Sequence, residues 1–139
     1  PKVEKATTYT IVWAVDNTSN SISGAQVTAT LPPYVKWLSN VSPSSEQVSY
    51  DQNTGTIVWD IGSVGPHTSA ASRRRELSFQ VSLTPSANQA GQSLTLVNQS
   101  VLTANDDFTG ANLSSSQDFL TTRFSSDPAY RDGNEIVAP

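Results

Sequence analysis

The chain of 139 residues contains no cysteine, which excludes disulfide bonds and thiolate metal sites. It contains no methionine either, so we expect it to be a fragment, a processed product or one repeat of a longer protein. No apolar run approaches the roughly 18 residues that cross a bilayer, and we therefore expect no membrane insertion of this stretch. Its length predicts one domain with its own hydrophobic core.

Charged side chains are also scarce. They make up 14% of the chain, against about 25% in typical globular domains, and serine and threonine take their place. The net charge is −4. Nucleic-acid binding depends on cationic side chains that neutralise phosphates, so we expect no nucleic-acid partner. A Ser/Thr-rich chain without disulfides favours an extracellular, bacterial cell-surface location, because animal extracellular domains of this size usually carry disulfides.

No segment shows a helical period. Apolar and polar residues alternate instead, most clearly over residues 8–15, which is the pattern of a strand with one buried face. The predicted strands are 8–15, 25–31, 35–41, 48–50, 56–61, 77–83, 94–104 and 113–124. Seven to eight short strands separated by turn residues predict an all-β fold, an immunoglobulin-like antiparallel β-sandwich with Greek-key connections.

The composition changes near both ends of the chain. We assign residues 1–6 to an N-terminal linker, 7–124 to the sandwich and 125–139 to a C-terminal linker toward a next repeat. The last segment has few apolar residues and several turn formers, so we expect it to dock weakly.

Five short motifs follow one another along the chain. They are Thr8-Tyr9-Thr10-Ile11 with Asn17-Thr18; the run from Val27 to Val35 with Leu31-Pro32-Pro33; Tyr50-Asp51 with Gly55 to Trp59; Leu77 to Val81; and Val97-Asn98-Gln99-Ser100. In this order they resemble the bacterial and archaeal "conserved repeat domain" of large surface proteins, an immunoglobulin-like domain of unknown function found in tandem arrays. The resemblance covers roughly residues 7–104.

This resemblance implies a tandem module that acts as a stalk, spacer or adhesive tip, with neighbouring repeats as its partners. It implies no common catalytic site or cofactor. One position departs from the family pattern, because Ala29 stands where relatives often have an acidic residue.

Candidate catalytic and metal-binding residues are few. His67 is the only histidine, and its Gly-Pro-His-Thr context favours a solvated loop residue over a Ser-His-Asp site. We therefore expect no enzyme. Asp106 and Asp107 are adjacent acids, for which turn chemistry is the favoured interpretation. The alternative is a calcium site, because Ca²⁺ prefers carboxylate and carbonyl oxygens; beyond that ion we expect no cofactor.

Candidate ligand contacts come from aromatic and basic residues. Tyr34 and Trp37, beside a Pro-Pro pair, predict an exposed aromatic patch, whereas Trp13 and Trp59 fit the core. Arg73 belongs to the one basic cluster, for which an exposed strand entry is favoured over contact with an acidic polymer.

An intramolecular isopeptide bond between Lys5 and Asn98 is a further hypothesis. It requires a buried, neutral lysine, because burial lowers the pKa of an amine and makes it nucleophilic. An Asn98 side chain that only hydrogen-bonds to backbone is the favoured alternative.

Three hypotheses for function remain open. The first is a structural spacer module of a bacterial cell-surface or secreted protein. The second is an adhesive or carbohydrate-binding module that recognises a surface glycan or a protein ligand. The third is a filament subunit joined to like subunits by β-strand addition, with residues 1–6 or 125–139 as the donated strand.

Overall fold

The structure, a computed structural model, describes residues 1–17, 20–66, 74–124 and 127–139. Its strands are β1 (Thr7–Val15), β2 (Ile22–Thr30), β3 (Val35–Ser42), β4 (Gln47–Asp51), β5 (Thr56–Val64), β6 (Arg75–Leu83), β7 (Thr95–Val97), β8 (Ser100–Asp106), β9 (Asn112–Gln117) and β10 (Leu120–Thr121). A single 3₁₀ turn (Ala87–Gln89) is the only helical element in the described ranges.

The strands form two main sheets. One has three strands in the order β1-β6-β3, and the other has five in the order β4-β5-β2-β8-β9, while β7 and β10 form a small separate pair. All ladders within the sheets are antiparallel. The predicted all-β, immunoglobulin-like sandwich is therefore confirmed.

Two predicted strands are divided in the structure. The segment 94–104 splits into β7 and β8, and the segment 113–124 splits into β9 and β10. Eight strands have five or more residues, which matches the upper end of the predicted count. Period-two alternation could not reveal the divisions, because a short change of partner leaves the alternation intact.

The core lies between the two sheets and centres on aromatic rings. Trp13 of β1 packs edge-on against Phe79 of β6, with ring centroids 5.0 Å apart. It also stacks on Trp59 of β5 at 6.5 Å. Trp13 and Trp59 are both buried, as the alternation predicted. These contacts pack the inner faces of β1 and β6 against β5, the second strand of the five-stranded sheet.

The C-terminal segment is part of this fold and not the weakly docked linker that the sequence predicts. Val137 is 1% exposed and belongs to the core. Thr122 is fully buried, and its hydroxyl donates to the Glu135 carbonyl at 2.7 Å. Val137 is the buried apolar residue through which this segment joins the core. The sequence could not show this, because a single apolar residue among turn formers gives no periodic signal.

The three-stranded sheet covers only part of its partner. One cross-strand row on the inner face of the large sheet runs from Trp59 through Val27 and Leu102 to Ser115. Trp59 is fully buried, Val27 is buried, Leu102 is half-buried and Ser115 is exposed. Burial therefore falls steadily from β5 to β9, where the covering sheet ends.

Candidate functional site

The free edge of β1 borders the uncovered part of the large sheet. Among the described strands β1 pairs with β6 alone, through all nine residues from Thr7 to Val15. Its other edge therefore presents backbone N–H and C=O groups with no strand beside them. This edge and the space next to it are called the β1 groove below.

Two connected depressions make up the β1 groove. The first, about 470 Å³, lies along residues 12–16, and its opposite wall is formed by β8, β9 and residues 118–120. The second, about 830 Å³, lies along residues 7–12 and is bounded by residues 120–124. Val12 and Leu120 line both, so the two depressions meet at these residues and together follow β1 over its whole length.

Apolar side chains line much of the groove. Val12 is 54% exposed and Phe119 is 56% exposed, and Leu120 is exposed as well. Val27 and Leu102 lie on its floor. Such a grouping of exposed apolar residues in a chain with a Ser/Thr-rich surface indicates an interaction surface.

The indole of Trp13 adds an unsatisfied polar group to this site. Trp13 lines the groove, and its Nε1 is buried without an acceptor among the described residues. By contrast, Trp59 Nε1 donates to Glu46 Oε2 at 2.8 Å. A buried N–H that lacks a partner costs about 1–3 kcal/mol, and this nitrogen is itself closed to solvent.

Charged residues lie at the two ends of the groove. Asp16 and Asp118 line the end near Val15, and Arg123 and Asp127 line the other. Asp16 forms a 3.5 Å ion pair with Arg74. Among the described residues, the first end carries two carboxylates against one arginine, which favours an approaching cation.

A second polar cluster ties the sheets together on the opposite side. Glu46 accepts from Trp59 Nε1 and, through both carboxylate oxygens, from Arg75 at 2.8–2.9 Å. Burial raises the pKa of Glu46. Hydrogen bonds from Arg75 and Trp59, together with the arginine charge, lower it by more, so the net pKa lies below the usual value. This cluster stabilises the fold and needs no ligand.

The predicted aromatic patch is half-buried. Tyr34 and Trp37 both pack against the core. Trp37 stacks on Tyr50 with centroids 5.4 Å apart and contacts Phe79 at 5.2 Å. The pair of Trp37 and Tyr50 borders an open depression with Asp51 and nearby polar residues. Tyr34 does not line that depression, so the structure does not bring the two predicted aromatic residues together there.

Asp106 has the role of a turn residue. Its Oδ1 accepts from the backbone N–H groups of Phe108 at 2.8 Å and Thr109 at 2.9 Å. The Thr109 bond is the largest influence and lowers the pKa of Asp106, and contacts from Phe108 and Asn20 add to this. Asp107 is exposed. No group of three acidic or histidine side chains gathers at metal-binding range in the described part of the chain, and the calcium site stays a prediction.

Lys5 and Asn98 have unlike surroundings. Lys5 is exposed, so it lacks the burial that the isopeptide hypothesis requires. The Asn98 side chain donates to Thr30 Oγ1 at 2.9 Å, and the backbone N–H of Asn98 donates to the Thr30 carbonyl at 3.0 Å. The favoured alternative, a hydrogen-bonded Asn98, describes its position, although the side-chain acceptor is a hydroxyl and not backbone.

His67 and Arg73 lie outside the described residues, so the hypotheses about them stay predictions. Within the described ranges no helix is long and apolar enough to span a bilayer. The β1 groove was missed from sequence. Its one local signal is Val12, an apolar residue on the polar face of an alternating strand.

Comparison with known proteins supports the fold. No protein-family model matches the chain, and no curated protein matches it. A solved structure of domains D2 and D3 of the major pilin SpaD from Corynebacterium diphtheriae is similar, with a TM-score of 0.55 and 12% sequence identity. The match covers 86% of this chain and 47% of the pilin chain, so this chain spans about half of that structure.

Fold and comparison together define an immunoglobulin-like β-sandwich domain of the architecture also found in those pilin domains. An identity of 12% shows the shared fold alone. The resemblance to the conserved repeat domain has no matching family model and stays a prediction.

Proposed function

We propose that this domain is a non-catalytic, structural module of a bacterial cell-surface or secreted protein, where it carries mechanical load as a spacer or filament unit. The observation that carries the proposal is the pairing of the two ends of the chain. Lys2 forms a parallel bridge with Ala138. Val3 N–H donates to the Ala138 carbonyl, and Ala138 N–H donates to the Pro1 carbonyl, both at 2.9 Å.

Parallel pairing of the ends has a mechanical consequence. When the N-terminal segment is pulled one way and the C-terminal segment the other, the two segments slide along each other. The bonds at Val3 and Ala138 then lie across the force and must break together. Burial of Val137 beside them anchors the C-terminal segment in the core. This arrangement suits a module that transmits tension between its neighbours.

Two further observations support the proposal. The similar solved structure is part of a major pilin, and the composition favours an extracellular bacterial location, as argued above. These points support a structural role over an enzymatic one.

Single-molecule force spectroscopy on the domain, pulled through its two ends, tests the load-bearing role. Val3→Pro removes the N–H that donates to Ala138, whereas the matched Val3→Ala keeps it. We expect Val3→Pro to lower the peak unfolding force well below that of Val3→Ala. Equal forces for the two variants would contradict a role for the terminal pairing.

Cell-surface location is tested separately, with antibodies against the domain on intact and permeabilised cells that produce the parent protein. We expect labelling of intact cells. Labelling only after permeabilisation would overturn the proposed location.

A second candidate function is carbohydrate binding at the stacked pair of Trp37 and Tyr50. The depression beside these rings also contains Ser39, Asp51 and Gln52, and sugar rings stack on aromatic faces while polar groups accept and donate hydrogen bonds. A glycan array with the wild-type domain tests this directly. Hits that disappear in Gln52→Ala would favour the carbohydrate-binding function, and an array without hits would count against it.

A further inference from the structure

We propose that the β1 groove binds one extended peptide strand of a partner protein, which adds to the free edge of β1. The inference rests on the proposed structural function for its biological setting and identifies the class of partner. The peptide carries apolar side chains on the face toward the groove and a lysine or arginine at the end beside Asp16 and Asp118.

The backbone of β1 is the first reason for an extended peptide. A free strand edge offers an alternating row of N–H and C=O groups, and a peptide backbone is the ligand that satisfies such a row. The nine residues of β1 span roughly 30 Å at about 3.3 Å per residue. An added strand of eight or nine residues matches this length.

The unequal sizes of the sheets show where the strand lies. Adjacent strands are about 4.8 Å apart and stacked sheets about 10 Å apart. A strand placed next to β1 would therefore extend the smaller sheet toward β8, whose Ser100 and Leu102 line the space beside β1. It would cover Leu102, the half-buried member of the row that begins at Trp59. The falling burial along that row is what a missing covering strand produces.

The groove is closed on the side opposite β1. The wall opposite β1 is made by β9 and by residues 118–120, so the groove is bounded on both sides along residues 12–16. A second folded sandwich that presented its own edge would bring further strands into that wall. A single linear segment avoids this clash. A peptide strand is therefore a better occupant than the edge strand of a folded second copy.

The groove lining specifies the side chains of the peptide. Val12, Phe119 and Leu120 are exposed, and Val27 and Leu102 form the floor. Since alternate residues of a strand face the same side, every second peptide residue meets the apolar floor, whereas Val12, on the outer side of β1, lies beside the residues between them. The remaining residues face solvent and are polar.

Charge at one end of the groove sets the register, and Trp13, which lines the groove, reports on its occupancy. The carboxylates of Asp16 and Asp118 line one end, so a peptide cation placed there meets opposite charge. Surface pairs of this kind contribute about 0.2–1 kcal/mol.

The test uses a defined probe, the acetylated and amidated peptide Lys-Thr-Val-Thr-Val-Thr-Val-Thr-Lys. Lysine at both ends places an ammonium beside Asp16 and Asp118 in either strand direction. The control peptide has proline in place of the second and third valines and lacks those two N–H donors. Binding is measured by isothermal titration calorimetry and by ¹H–¹⁵N NMR of the domain.

We expect saturable binding of the probe and none of the control. The indole N–H resonance of Trp13 should move, whereas that of Trp59, already bonded to Glu46, should stay in place. Amide hydrogen exchange should slow along β1. Binding without a change at Trp13 or β1 would overturn the proposed site.

Matched variants locate the site. Val12→Lys and Phe119→Ser alter exposed groove residues and should weaken binding at least tenfold while leaving the fold intact. Phe108→Ser is the control, because Phe108 is 85% exposed and lies in the β8–β9 turn away from the groove lining. Asp16→Asn with Asp118→Asn should weaken binding about two- to fivefold at low salt.

The alternative occupant is a second copy of this chain. Sedimentation analysis of the domain alone should show monomers at concentrations where the probe binds. Self-association that Val12→Lys abolishes, together with no probe binding, would overturn the peptide assignment in favour of a second copy. These measurements use the isolated domain. A negative result would therefore overturn the peptide site without bearing on the proposed cell-surface location.

Discussion

Glu46 and Trp59 are joined by a 2.8 Å hydrogen bond from the indole Nε1 to carboxylate Oε2. The same carboxylate accepts three hydrogen bonds from Arg75 of the other sheet. Glu46 therefore ties the fully buried centre of the large sheet to the start of β6. This link lies at the turn before β4, at a position that sequence periodicity treats as a loop.

Two replacements of Glu46 should distinguish the contribution of its hydrogen bond with Trp59 from that of its ion pair with Arg75. Glu46→Ala leaves the buried indole N–H without an acceptor, and we expect a loss of about 2–3 kcal/mol in unfolding free energy. Glu46→Gln keeps an oxygen acceptor and loses mainly the half-exposed ion pair, for which we expect about 1 kcal/mol or less. Urea denaturation measures both. Equal losses would show that the Trp59 bond contributes nothing.

Stability should fall in acid. Glu46, Asp106 and Glu135 all have a pKa below the usual value; hydrogen bonds to the carboxylates outweigh burial in each case. A depressed folded pKa gives stability that is present above the unfolded value, about 4, and is lost as pH falls through the folded value. Urea midpoints should therefore be constant from about pH 5 to neutrality and drop toward pH 3. The drop should be smaller in Glu46→Gln, and an identical drop would contradict the contribution of Glu46.

The C-terminal segment should contribute to stability through one residue. Val137→Ala removes two buried carbon groups at about 0.8 kcal/mol each, plus a cavity term, so we expect a loss of about 1.5–2.5 kcal/mol. The matched Ile136→Ala alters a side chain that is 37% exposed and should cost less than about 1 kcal/mol. Thermal and urea unfolding measure both. If Ile136→Ala were the more damaging, the docking described for this segment would be wrong.

The β4–β5 hairpin should require glycine at position 55. Gly55 has φ +70°, and a Cβ there would lie 3.1 Å from the Leu31 carbonyl oxygen. A left-handed conformation costs an L-residue about 1–2 kcal/mol, and the contact adds to this. Gly110 has φ +72° with open space around it. Gly55→Ala should therefore be more destabilising than Gly110→Ala. The difference between the urea midpoints of the two variants measures the cost of the close contact with the Leu31 carbonyl.

The intact mass should be that of the unmodified chain. An isopeptide bond between Lys5 and Asn98 would remove one ammonia, about 17 Da. Lys5 is exposed and its amine is therefore not made nucleophilic by burial. Mass spectrometry of the purified domain settles the point, and a loss of ammonia that Lys5→Arg abolishes would contradict this expectation.

The sequence by itself determined the fold class and much of the core. Alternation with a period of two assigns each residue of a strand to one of two faces, and it correctly placed Trp13 and Trp59 inside. Composition alone excluded disulfides and thiolate metal sites. These conclusions depend on local spacing and on residue counts, both of which can be read directly from the amino-acid sequence.

Only the tertiary structure decided which strand edges are free and which segments dock. The edge of β1 beside Val12 is free because no described strand pairs with it, and Ser115 is uncovered because the smaller sheet ends at β1. Val137 is buried where the C-terminal segment hydrogen-bonds to Gly91 and Gln92. Each of these facts depends on contacts between residues far apart in the chain, and such contacts leave no periodic signal along it.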